Sequence, residues 1–218
     1  MAASSKAQVN AAISKFEERF DKVYGAGTLI SLGDIKPYEV IPTGSLTLDW
    51  ATGVGGFIEG RLHELWGQDG VGKSTMMLCT AAEAQKKHPD KMVGWIDMEH
   101  SLDRPWVEAH GIDPDPRKFR VFVPNTAEDV ADALKDMLRS GLFSFIVLDS
   151  IGAMIPKKQT EKDAEEVTVG DLPKVVTRMV KIATVETANT GTATVLINQV
   201  RANIGGYGAD QTTSGGWA

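Results

Sequence analysis

The chain has 218 residues, 42% of them hydrophobic and 24% charged, which suits one α/β domain with a filled core plus an appendage. A net charge of −6 excludes coating of nucleic acid by overall charge and leaves only a local cationic site open. The single cysteine, Cys79, excludes an internal disulfide and suggests a cytoplasmic setting; His63, His88, His100 and His110 lack the spacing of zinc ligands, and no apolar run is long enough for a membrane span.

From the N-terminus, Ile13, Phe16, Phe20 and Val23 recur at helical spacing with Lys15, Glu17, Glu18 and Arg19 between them, which predicts a helix over Ala3–Lys22. Such a helix has little of its own to pack against. Thr28–Leu32, between glycines, reads as a short strand that needs a neighbour to pair with. Residues 1–33 therefore read as an appendage that either folds back or docks on another molecule, and 34–218 as the main domain. Ile41–Asp49 reads as a turn entering a short helix capped by Thr43 or Ser45. Gly53–Gly60 is a glycine-rich approach to a strand at Arg61–Trp66.

Next comes Gly67-Gln68-Asp69-Gly70-Val71-Gly72-Lys73-Ser74, followed by Thr75, which fits G-x-x-x-x-G-K-[ST], the P-loop. Backbone N–H groups must close around a polyphosphate here, and glycines let the chain turn without a Cβ in the way. Lys73 carries a point charge to the terminal phosphates of ATP, and Ser74 offers a hydroxyl to the accompanying Mg²⁺. A strand before and a helix after (from Met76) aim a positive helix N-terminus at the anion.

Beyond it, strands are expected at Lys91–Asp97, Phe119–Val123, Phe143–Leu148 and Ala193–Ile197, and helices near Asp103–His110, over Ala127–Arg139 and over Val175–Asn189. Gly141 stops the second of these helices. This alternation predicts a mostly parallel sheet flanked by helices, with ligands outside the carboxyl ends of the strands. Lys157–Asp171 lacks apolar periodicity, and Arg201–Gly216 carries five glycines; both read as mobile loops.

Asp149 ends an apolar strand and is placed to hold Mg²⁺, directly or through water. Glu99, past the neighbouring strand, is a candidate general base for an attacking water. Gln199 precedes the glycine-rich loop, so a neutral amide that senses the terminal phosphate could order or release that loop.

The chain resembles a RecA-type homologous recombinase of the bacterial or phage kind. The resemblance rests on Ile41–Asp49, the P-loop, Ile96–Asp103, Val147–Ser150, Ile197–Arg201 and Thr212–Gly216, in family order, and runs from about residue 10 to the last residue. It implies a RecA-like P-loop ATPase core and a DNA-dependent ATPase that polymerises on single-stranded DNA and pairs it with a homologous duplex. By the same resemblance Glu99 is the catalytic carboxylate, Asp103 faces the adenine amino group, and Trp106 stands where the family usually stacks a tyrosine on adenine. Lys157–Asp171 corresponds to the first DNA-binding loop and Arg201–Gly216, with Gly215 and Gly216, to the second. Arg178 and Arg201 are the expected phosphate contacts, and Tyr207 stacks on or wedges between bases. The N-terminal helix and strand correspond to the piece that docks on the next protomer of a helical filament.

Some features depart from the pattern. The first loop is acidic on balance, and Ala26 replaces a common lysine. The sequence stops where the family continues, so cations that act on a neighbour's nucleotide are absent from it, and binding is expected to exceed hydrolysis. A truncated ATP- or DNA-binding module with little turnover and a hexameric helicase-type motor are the competing readings.

Overall fold

The computed structural model describes residues 2–35, 37–160, 171–202 and 211–213, with side chains for 6–35, 37–159 and 171–200. Contacts divide the chain into Met1–Tyr38 and Glu39–Ala218.

The first unit is a helix, α1 (Ala2–Tyr24), followed by a 3-10 turn at Leu32–Asp34. Phe16, Phe20 and Tyr24 stack along one side of α1, with ring centroids 5.6 and 4.4 Å apart. The strand expected at Thr28–Leu32 is not formed. Thr28 instead turns back, its hydroxyl donating to the carbonyls of Tyr24 and Gly25, and Ser31 and Asp34 close a capping box over the 3-10 turn. A strand without a partner leaves its backbone groups unpaired, and local hydrogen bonds win in its place.

The second unit opens with a small antiparallel pair, β1 (Val40–Ile41) with β2 (Phe57–Ile58), that the glycine-rich sequence concealed. Gly56 makes the pairing possible: its φ is 149°, and a Cβ there would collide with the carbonyl of Ile41. Between the two lies α2 (Leu46–Ala51). Ser45 is its N-cap residue but makes no side-chain cap bond, and the Thr43 hydroxyl accepts from the Ser45 N–H.

The main sheet consists of β3 (Leu62–Gly67), β4 (Met92–Asp97), β5 (Phe119–Phe122), β6 (Phe143–Asp149) and β7 (Ala193–Ala202), all parallel in the order β3-β7-β6-β4-β5. Helices α3 (Lys73–Lys87), α4 (Arg104–Ala109), α5 (Ala127–Ser140), α6 (Lys157–Thr160) and α7 (Asp171–Thr190) connect and flank it. Alternation along each strand divides the core between the two faces. Trp95, Phe145, Val147, Val195 and Ile197 pack with Met77, Leu78 and Ala81 of α3. Ile96, Ile146, Leu148 and Leu196 pack with Leu134 and Leu138 of α5 and Met179 of α7. Each fully buried large side chain contributes about 1.5–3 kcal/mol, so this two-sided core fixes the strand register. Cap chemistry sets the limits of α5: the Thr126 hydroxyl accepts from the Asp129 N–H at 3.2 Å, and Gly141 closes the helix at φ 67°.

Two loop expectations need correction. Lys157–Thr160 is a helical turn and Asp171 already belongs to α7, so both ends of the first expected loop are helical; residues 161–170 lie outside the described residues. Strand β7 continues past Gln199 through Ala202 and pairs antiparallel with β8 (Gln211–Thr213), so Arg201 is a strand residue paired with Thr212. Backbone pairing extends the strand where the side chains lack an apolar pattern.

Candidate nucleotide site

Register brings the site together. Gly67 is level with Gln199, and Asp97 with Asp149, so four strand ends meet at the carboxyl edge of the sheet. The P-loop joins β3 to α3, and no side chain caps that helix: Gly72 is its N-cap residue, at φ 92°. The first-turn N–H groups are therefore left to face an anion. Lys73 Nζ bends back across the loop and donates to the carbonyls of Gly67 (3.0 Å) and Gln68 (2.8 Å). Gln68, Asp69, Gly70 and Val71 are exposed along the loop, with Ser74 and Thr75 half-buried behind it.

Asp149 is 1% exposed, and its Oδ2 has no hydrogen-bond partner. Burial pushes its carboxyl up to about 6, against a hydrogen bond from Ser74 that lowers it; the charges of Glu99 and Asp97 add to the rise and Lys73 opposes it. A buried, unpartnered carboxylate oxygen beside the P-loop serine offers oxygen ligands of the kind a divalent ion takes, but too few to complete its coordination. Among the described residues no group of three or more His, Cys, Asp and Glu could hold a metal by itself. The residues fit an ion that arrives already bound to phosphate oxygens. The Asp149–Ser150 peptide is cis.

Glu99 lies past the end of β4 and is exposed, but one of its oxygens is held. Oε1 accepts from the Ser150 hydroxyl at 2.6 Å and from the Gln199 amide at 3.1 Å. Sequence reasoning named Glu99 and Gln199 separately, and the structure joins them directly. It also supplies residues to which sequence reasoning gave no role. Buried Asp97 accepts from the N–H groups of Glu99, Ser101 and Leu102 at 3.2–3.3 Å and shapes the turn that carries Glu99. Asn198 donates to Glu64 at 2.9 Å and accepts from the Gln199 N–H at 2.9 Å, which fixes the strand end. The available signal for Asp97 was an aspartate two residues before a glutamate at the end of an apolar strand, a common local turn.

Asp103 has a structural use: its carboxylate accepts from the Trp106 N–H at 2.8 Å and caps α4. Trp106 is 47% exposed, edge-on to His110 at 4.4 Å. A cleft of about 460 Å³ opens at Asp97, His100, Leu102, Asp103 and Arg104. Arg178 is exposed on α7, where Lys174, Arg178 and Lys181 line a shallow groove. Tyr207, Gly215 and Gly216 lie outside the described residues, as does the side chain of Arg201. No described helix is long and apolar enough to cross a membrane.

The fold and site define a class: a parallel α/β core with a P-loop at the carboxyl end of one strand and acidic residues at the ends of its neighbours. The family described as RecA N-terminal domain matches residues 8–218. Similar proteins include Protein RecA of Sulfurovum sp. (strain NBC37-1), 37% identical over 214 residues, covering 96% of this chain and 60% of that protein. Protein RecA of Campylobacter fetus subsp. fetus is 36% identical over 203 residues (91% of this chain, 58% of that protein), and that of Thermotoga petrophila 33% over 219 residues (99% and 60%). The chain belongs to the RecA N-terminal domain family. It spans about six-tenths of the length of these curated relatives.

Proposed function

We propose that this chain is the ATP-binding core of a recombinase that assembles on single-stranded DNA, pairs it with homologous duplex DNA and hydrolyses ATP in response to the strand. The observation that carries this reading is the hydrogen bond from Gln199 to Glu99, because it links the end of β7, which continues into the β7–β8 hairpin, to a carboxylate beside the P-loop. In this reading the backbone of Gly67–Thr75 and the Lys73 ammonium hold the phosphates, and Ser74 and Asp149 hold Mg²⁺. The bound metal supplies charge neutralisation at the terminal phosphate. Glu99 orients and deprotonates the attacking water. Gln199 exchanges its bond to Glu99 for one to the terminal phosphate, which changes the pull on the hairpin. Asp103 and Trp106 border the adenine. Arg178, Arg201, Tyr207, Gly215 and Gly216 belong to the DNA-facing side, and residues 1–33 dock on the next protomer of a filament.

The test is ATP hydrolysis by the chain with and without single-stranded DNA, together with binding of a non-hydrolysable analogue. Hydrolysis should rise with DNA, and Lys73→Ala should lower it at least a hundredfold while leaving the unfolding midpoint within a few degrees, since the hydrogen bonds of Lys73 among the described residues go to carbonyls of the loop and not to the core. Nucleotide binding unaffected by Lys73→Ala, or hydrolysis indifferent to DNA, would refute the reading.

A further inference from the structure

The Ser150 hydroxyl is fully buried, and a buried hydroxyl must place its proton on an acceptor. It places it on Oε1 of Glu99, at 2.6 Å, within the short range of charge-assisted hydrogen bonds. The acceptor is unusual in kind. Glu99 is otherwise exposed, sits on a bend after β4, and its Oε2 takes no bond from the described residues. The second donor to Oε1 is Gln199, at the longer distance of 3.1 Å, and the Gln199 side chain lies against Gly152, where a Cβ would approach its Oε1 to 3.1 Å. Ser150 and Gly152 thus bracket both polar side chains from the segment following β6. The two anchors differ in mobility: Ser150 is walled in by the core, whereas Gln199 is only half-buried.

We propose that Ser150 is a positioning residue for Glu99, clamping Oε1 from the buried side so that Oε2 keeps one direction when Gln199 lets go. This inference rests on the proposed role of Glu99 as the base. A carboxylate tethered only by a departing amide would lose its aim at the moment it is needed, and the fixed hydroxyl prevents that. Glycine at 152 serves the same end by leaving room for the Gln199 side chain beside the clamp.

The test uses the whole chain labelled with carbon-13 at its glutamate carboxylates. Without nucleotide, at neutral pH, Ser150→Ala should move the Glu99 carboxylate resonance, while Thr184→Ala, on the exposed side of α7, should not. With single-stranded DNA, Ser150→Ala should lower kcat about tenfold and leave affinity for a non-hydrolysable ATP analogue within twofold. Ser150→Cys, which keeps a weak donor of similar size, stands in if the alanine variant does not fold. A Glu99 resonance indifferent to Ser150→Ala overturns the inference, as does an unchanged kcat or a loss of affinity parallel to the loss of rate. If the unaltered chain binds no ATP, the nucleotide reading fails, and the resonance alone still decides whether Ser150 clamps Glu99.

Discussion

A buried carboxylate that forms no ion pair is a burden on the folded chain, and among the described residues Asp149 is such a group. Its carboxyl is pushed up to about 6 from the ordinary 3.8, chiefly by burial. A raised acid takes up protons in the folded state between these two values, so its ionisation costs stability as pH rises through about 6, and below about 3.8 the contribution vanishes. Two pH units correspond to about 3 kcal/mol, so Asp149→Asn should stabilise the nucleotide-free chain by about 2 kcal/mol at pH 8, with the gain fading toward pH 4. Chemical denaturation at a series of pH values checks this, and a gain that persists at pH 4 would contradict it. Lys73, Ser74, Asp149 and Glu99 were legible in the sequence because their chemistry requires fixed spacing from a glycine loop or a strand end. The contact of Ser150 was not, since a serine after a strand does not reveal what its hydroxyl meets until the fold sets it against a glutamate 51 positions away.

Elements are held by contacts that no local pattern reveals. The carboxyl end of α3 is tied to the β1–β2 pair through Glu59, which accepts from Lys87 at 2.8 Å and His88 at 3.0 Å, while Lys87 also reaches Glu39 and the carbonyl of Val40. Burial alone would raise the Glu59 carboxyl; the hydrogen bonds and charges of Lys87 and His88 outweigh it and hold it below the usual 4.5. A depressed acid contributes stability above its unfolded value and loses it as pH falls through the folded one. Glu59→Gln should therefore cost about 1–2 kcal/mol at pH 7, and the cost should shrink below pH 4.5. A penalty constant from pH 7 to 3 in thermal melts would show that packing, not charge, is at work. The same distinction explains which elements the sequence revealed. Strands β4, β6 and the first half of β7 are apolar runs, β3 leads into a glycine loop of fixed spacing, and α5 is capped at both ends, so these were legible. The β1–β2 pair, the extension of β7 and the β8 pairing come from partners distant in sequence or from polar residues, and the lone segment at Thr28–Leu32 has strand-like residues but no partner strand among the described residues.

Over the whole molecule, apolar surface is unevenly spent. Residues 39–218 bury a core on both faces of a sheet, whereas α1 leaves Val9, Ile13, Phe16 and Val23 about half or more exposed. A helix of that length with an unburied apolar side gains little from folding by itself, and it gains most where a second surface covers it. If that surface belongs to the next copy, the contact is head-to-tail and need not close, so it propagates. A chain beginning at Glu39 should then unfold cooperatively with a midpoint within about 5 °C of the full chain, since the core clusters lie wholly beyond that point. It should also bind a non-hydrolysable ATP analogue with unchanged affinity, because every residue proposed for the nucleotide site remains. Electron microscopy with single-stranded DNA and the same analogue should show filaments for the full chain and none for the shortened one. Filaments of equal length from both would move the assembly surface onto the core itself. Loss of cooperative unfolding would instead make α1 part of the fold, and its exposed phenylalanine a feature without a partner.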